Sequence, residues 1–214
     1  FTRKKGGEEI ALIVGIDEVG RGPLAGPVTV AAVVKPKRFV WKNFKDSKKL
    51  SPEKREEFFL KFKKMRYAVS SVGAVIIDKI GMSAAARLAV GRCISKLKIK
   101  NKKLKILLDG SLFAPKTYLN QETIVKGDEK ISLIAAASII AKVKRDRHMK
   151  KMHKIFPQYG FAVHKGYGTK IHQEAIKTHG LCAIHRKSFC RKILSSSSLR
   201  PSESNDLSKD RKFL

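Results

Sequence analysis

Apolar positions in this chain fall into two patterns: short unbroken runs of strand length, and longer stretches repeating at helical spacing. Residues 11–16 form a β-branched apolar run suited to a strand buried on both faces of a sheet. The run ends at Asp17-Glu18 and opens into residues 20–27, which hold three glycines and two prolines and so predict a turn-rich loop. Residues 28–34 are a second β-branched run, close enough for antiparallel pairing with the first. Ser51-Pro52 supplies an N-cap and a first-turn proline, and Phe58, Phe59, Phe62 and Met65 then recur at helical spacing, which predicts a helix over 53–65. A third strand is predicted over 67–77, and a helix over 83–97 with Leu88, Cys93, Ile94 and Leu97 facing inward. Short strands at 105–109 and 123–125 precede a long helix from Ile131 to about His153, buried over 133–141 and basic later, and a shorter helix at 169–178.

Strands and helices that alternate in this way predict one α/β domain, and carboxylates recur at strand ends. Asp17 and Glu18 close the first strand, Asp109 closes another, and Asp128 follows Lys126-Gly127 after a third. Residues 1–9 read as a basic N-terminal segment and 10–194 as the folded domain. Residues 195–214 hold too little apolar mass for a core and read as a disordered tail.

Charge adds a partner. The 214 residues carry 47 Lys+Arg against 18 Asp+Glu, a formal net charge of +29 with a pI near 10.3. Such a field attracts polyanions, nucleic acid first among them. It does not separate an RNA-binding module from an enzyme; the acids do. The three cysteines, Cys93, Cys182 and Cys190, form no Cys-x-x-Cys pair and exclude a disulfide framework. His179, Cys182, His185 and Cys190 are permitted zinc ligands, but their spacing matches no familiar zinc pattern, and packing explains them more simply. No run approaches the roughly 18–20 apolar residues of a membrane span, and no secretory signal opens the chain, so a cytoplasmic location away from membranes is expected.

Two adjacent acids at the end of a buried strand are costly unless paired, hydrogen-bonded or bound to a cation. A metal ion is the natural compensation. Asp46, Asp78 and Asp146 compete with Asp128 for the fourth place. On a continuous helix Asp146 would lie up to roughly 27 Å beyond Asp128, and its neighbours Lys144, Arg145 and Arg147 suit a surface ion pair.

The string Gly15-Ile-Asp-Glu-Val-Gly-Arg-Gly-Pro-Leu-Ala-Gly-Pro27 resembles the signature of ribonuclease HII, the type 2 ribonuclease H family. Further matches follow in order: Asp46-Ser47-Lys48-Lys49-Leu50-Ser51, Leu107-Leu108-Asp109-Gly110, Lys126-Gly127-Asp128, residues 135–143, His164-Lys165-Gly166-Tyr167-Gly168-Thr169 and His185-Arg186-Lys187-Ser188-Phe189. The resemblance implies a ribonuclease H-like fold, with a mixed sheet of about five strands flanked by helices and a helical C-terminal extension. It also implies an endonuclease that hydrolyses the RNA strand of RNA–DNA hybrids and cuts 5′ of ribonucleotides embedded in duplex DNA, leaving 3′-hydroxyl and 5′-phosphate ends. Asp17, Glu18, Asp109 and Asp128 would hold two divalent ions, Mn²⁺ or Mg²⁺. Gly20, Arg21 and Gly22 would read the 2′-hydroxyl, and Tyr167 would pack on the sugar of the adjoining DNA side. Lys48, Lys126, Lys142 and Arg186 are expected phosphate contacts, and a monomer is expected. The sibling ribonuclease HIII carries glycine-lysine-glycine in the reading loop and an extra N-terminal domain. Arg21 and the short segment before the first strand favour type HII. Gly81 departs from the family's frequent asparagine at that position.

Overall fold

The computed structural model describes residues 12–37, 50–99 and 104–195, and its centre is a mixed five-stranded sheet. Strands β1 (Leu12–Val19), β2 (Val28–Val34) and β3 (Tyr67–Val72) pair antiparallel, while β4 (Leu104–Asp109) and β5 (Gln121–Ile124) extend the other side of β1 in parallel, giving the order β3-β2-β1-β4-β5. β1 is therefore the central strand, covered on both faces, as its unbroken apolar run requires.

Alternation along the strands divides the core into two layers. Val14, Ile16, Val30, Ile106 and Leu108 pack beneath α3 (Met82–Lys96), next to the short α2 (Ala74–Ile80). Ala31 and Val33 face the other way, onto α5 (Ser132–Ile155) and the Phe59 and Phe62 side chains of α1 (Pro52–Phe62). Each fully buried Ile or Leu contributes roughly 1.5–3 kcal/mol. Gly15 lies where α5 meets β1: a Cβ there would stand 2.7 Å from the Leu133 carbonyl carbon, so only glycine lets the helix approach this closely.

The C-terminal part is helical, as expected. After α4 (Gly127–Lys130) and the long α5 come a single turn at Pro157–Tyr159 and the helices α6 (Phe161–His164), α7 (Lys170–His179) and α8 (Lys187–Ser195). They close a third cluster around Ala25, Met149, Tyr159, Phe161, Ile176 and Cys190. Asp78 caps α8 by accepting from the amides of Lys187 (2.8 Å) and Ser188 (3.1 Å). That contact joins α8 back to α2 beside the sheet.

Several expectations need correction. The strand predicted over 67–77 stops at Val72, and residues 74–80 turn into α2. Ala74-Val75-Ile76-Ile77 is apolar and partly β-branched, a run that periodicity alone cannot assign, and Gly73 breaks it. β1 runs through Asp17 and Glu18 to Val19, so the acids sit within the strand, Asp17 opposite Ala31. The long helix starts at Ser132, separated from α4 by the extended Ile131. The basic segment 1–9, Asp46, Lys48 and all of the proposed tail except Ser195 lie outside the described residues. Among the described residues no helix is long and apolar enough to cross a membrane.

Candidate active site

Parallel pairing brings the first acids together. Gly15 and Ile16 of β1 stand opposite Leu107 and Leu108 of β4, so Asp17 and Asp109 follow one step on at the carboxyl ends of neighbouring parallel strands. Adjacent strands lie roughly 4.8 Å apart. This is where α/β sheets place ligand sites. Glu18 is the next residue on β1, and its amide donates to Asp17 Oδ1 at 2.7 Å. Asp109 Oδ1 accepts from the amides of Gly127 (2.6 Å) and Asp128 (3.3 Å) at the start of α4. That turn is entered through Lys126, held in the left-handed conformation at φ 55°. A non-glycine residue there is strained by roughly 1 kcal/mol or more, which marks a turn fixed by its surroundings.

The electrostatics call for a cation. Asp17 is 3% exposed, and its carboxyl is held well above its ordinary range, first by burial, then by the charges of Glu18 and Asp109, against a hydrogen bond from Ser138. Glu18 is raised too, chiefly by burial and opposed by Arg21, whose Nη1 lies 3.4 Å from Glu18 Oε1. Glu18 Oε2 is buried and has no hydrogen-bond partner among the described residues. Hard divalent cations take oxygen ligands, so this donor set suits Mg²⁺ or Mn²⁺ and not zinc. Among the described residues no group of three or more His, Cys, Asp or Glu side chains stands together that could by itself hold a metal ion.

Asp17, Glu18 and Asp109 line a cleft of about 480 Å³ together with Gly20, Arg21, Gly22, Arg55, Ser138, Lys142 and Tyr167. The three acids share the cleft with the cations Arg21, Arg55 and Lys142, an arrangement that can take a phosphate together with a divalent ion. Tyr167 is 40% exposed at the cleft. A Cβ on Gly22 would meet nothing within 4 Å, so this part of the loop backbone is open to a ligand. Sequence reasoning missed Arg55 and Ser138. The signal for Arg55 was its place in the first turn of a helix whose N-cap, Ser51, accepts from the Lys54 amide. Ser138 lies within the matched stretch 135–143, but nothing singled it out from its alanine-rich neighbours.

The remaining site expectations divide. Asp128 is 1% exposed in α4, its backbone amide donates to Asp109 Oδ1, and it is not among the residues that line the cleft. Lys142 lines the cleft but also pairs with Asp146 at 2.9 Å, so the salt bridge of Asp146 is made with a lysine one turn away. Lys126 is exposed and lies outside the cleft lining. Arg186 is corrected outright: it is 0% exposed and donates to the carbonyls of Gly20, Arg21 and Gly26, so no phosphate reaches it. Cys93 is core, as expected, its thiol pushed up to about 12 by burial. Cys182 contacts His185, but these residues form no zinc cluster.

Comparison with known proteins gives a consistent picture. The sequence model of the ribonuclease HII family matches residues 14–192. A protein named ribonuclease HII from Caldanaerobacter subterraneus subsp. tengcongensis is 46% identical over 197 residues, covering 91% of this chain and 80% of its own length. The crystal structure of ribonuclease H2 from Pyrococcus horikoshii superposes with a TM-score of 0.66 at 27% identity, covering 86% of this chain and 97% of that one. A Bst ribonuclease HIII structure in complex with Mn²⁺ has a TM-score of 0.71 at 20% identity, covering 89% and 71%, and shares the fold.

Proposed function

The chain belongs to the ribonuclease HII family and is an endonuclease acting on the RNA of RNA–DNA hybrids, and from that premise we propose how its cleft does the work. Asp17, Glu18, Asp109 and Asp128 would hold two divalent ions, Mn²⁺ or Mg²⁺. When bound, these ions supply a water acidified toward neutral pH and neutralise charge gathering on the phosphate. The observation that carries this reading is the placement of Asp17 and Asp109 one residue beyond the last paired positions of parallel β1 and β4, in the same cleft as Gly20–Gly22 and Tyr167.

The protein's own groups do the rest. Arg55 and Lys142, on the wall formed by α1 and α5, oppose the charge of the scissile phosphate and its neighbour. The open backbone at Gly22 reaches the 2′-hydroxyl, the group that separates RNA from DNA. The exposed Tyr167 ring packs on the sugar of the following DNA nucleotide. Ser138 fixes the Asp17 carboxyl by its hydrogen bond. Cleavage falls on the 5′ side of a ribonucleotide embedded in duplex DNA and leaves a 3′-hydroxyl and a 5′-phosphate.

The test is cleavage of a duplex with one central ribonucleotide, with product ends mapped by ligation and phosphatase sensitivity. A cut 5′ to the ribonucleotide leaving a ligatable 3′-hydroxyl is expected, with an all-DNA duplex untouched. Cutting on the 3′ side, or equal cutting of the all-DNA duplex, refutes the assignment of the reading loop.

A further inference from the structure

Behind the cleft lie two arginines with a role that neither charge nor sequence discloses. Arg145 of α5 and Arg186, just before α8, are both 0% exposed, and among the described residues neither forms an ion pair with a carboxylate. All their hydrogen bonds end on backbone carbonyls of two loops. Arg145 donates from Nε to Pro27 (2.9 Å), from Nη1 to Lys165 (3.0 Å) and from Nη2 to Ala25 (3.3 Å). Arg186 donates from Nη1 to Arg21 (2.9 Å), from Nη2 to Gly20 (2.6 Å), and from Nε and Nη2 to Gly26 (3.0 and 2.8 Å). The Arg145 guanidinium carbon also stands 5.9 Å from the centre of the Tyr167 ring.

Burying a guanidinium without a carboxylate is unfavourable, and two near one another more so. Burial and then the repulsion of Arg145 draw Arg186 down to about 10, still cationic at neutral pH. Their hydrogen-bond partners are all carbonyl dipoles held in place, helped at longer range by the charges of Asp146 for Arg145 and Asp78 for Arg186, so the loops must keep one geometry. The glycines bear this out: a Cβ on Gly20 would lie 2.3 Å from Arg145 Nε, and one on Gly166 2.4 Å from the Ala25 carbonyl oxygen. Gly166 in turn accepts from the Leu24 amide at 2.8 Å, and the His172 ring holds the Tyr167 carbonyl at 2.9 Å. Gly20 is thus glycine for the arginine beneath it, whereas Gly22 faces open space.

We propose that Arg145 and Arg186 are positioning residues that couple the Gly20–Gly22 loop to Tyr167 and so set the enzyme's discrimination between an embedded ribonucleotide and a uniform hybrid. The proposal rests on the roles given above to that loop and to Tyr167. A planar fork fixes the angles between several carbonyls; a lysine ammonium keeps the charge and loses the fork.

The experiment compares Arg145→Lys, Arg145→Gln, Arg186→Lys and Arg186→Gln with Tyr167→Ala. Each is assayed on a single-ribonucleotide duplex and on a uniform RNA–DNA hybrid, with folding checked by thermal melting. In folded arginine variants, kcat/KM on the single-ribonucleotide substrate is expected to fall tenfold or more, mainly in kcat, and on the uniform hybrid by about threefold or less. Adding Tyr167→Ala to Arg145→Lys should lower the ratio no further, because both act through one ring. Folded variants with an unchanged ratio, beside a Tyr167→Ala that lowers it, overturn the coupling alone. A Tyr167→Ala with an unchanged ratio brings down the reading of Tyr167 itself. If none of the four arginine variants folds, the pair is structural and the proposal fails.

Discussion

Replacing Asp17 by Asn should make the metal-free protein more stable while abolishing cleavage. Asn keeps the side-chain volume and the Oδ1 that accepts from the Glu18 amide at 2.7 Å, but removes a charge that burial, Glu18 and Asp109 all disfavour. Relieving strain at a functional site commonly stabilises by about 1–2 kcal/mol. At roughly 2–4 °C per kcal/mol for a chain of this size, the melting temperature in EDTA at neutral pH should rise by about 2–8 °C. The pH dependence has a definite sign. The native carboxyl binds its proton more tightly than the unfolded one, so wild-type stability falls as pH rises from the ordinary 3.8 through the raised native value. The gap between the two proteins should therefore widen as pH rises through the raised native value and close as pH falls toward 3.8. Bound ions reverse the order: at about 100 times Kd the wild type gains roughly 2.7 kcal/mol. The Asn variant, short of a ligand, should gain much less. Thermal melts of both proteins in EDTA and in MnCl₂, from pH 4 to 8, read all of this. An Asn variant less stable than wild type in EDTA, with equal stabilisation of both by Mn²⁺, would refute the reasoning.

Asp128→Asn should lower cleavage by at least a hundredfold and Asp146→Asn by less than tenfold, measured as kcat on one hybrid; the reverse order would move the fourth acid onto α5. Binding to a hybrid duplex should weaken steeply between about 50 and 200 mM salt, as released counterions dictate, with the cleavage position unchanged. A flat titration would contradict a phosphate-led interface. Gly15→Ala, whose Cβ would stand 2.7 Å from the Leu133 backbone, should cost about 1–3 kcal/mol in urea unfolding as α5 is pushed off β1. An unchanged midpoint would show that the helix can yield.

Much of this was legible in the sequence, for identifiable reasons. The β-branched runs of β1 and β2 and the Phe58, Phe59 and Phe62 stripe of α1 carry strong periodicity, and Asp17, Glu18 and Asp109 stand out as acids on apolar strands. The helix α2 was hidden because a short apolar run looks alike in strand and helix until Gly73 is seen to break it. Arg186 misled for a different reason. In a chain of net charge +29 an arginine reads as surface, and only the fold shows its fork closed by carbonyls from residues more than a hundred positions away. Arg55 lacked any partner in sequence, since the cleft it joins is built from β1, β4 and α5.

The most direct test of the carboxylate pair is an end-labelled RNA–DNA hybrid incubated with wild type, Asp109→Asn and Asp17→Asn, with Mn²⁺, with Mg²⁺ and with EDTA. Metal-dependent cutting of the RNA strand by wild type alone is expected, with both variants still folded and still binding the hybrid. Cutting by wild type in EDTA, or by either variant at wild-type rate in saturating metal, would show that the acids at the ends of β1 and β4 are not the reacting centre.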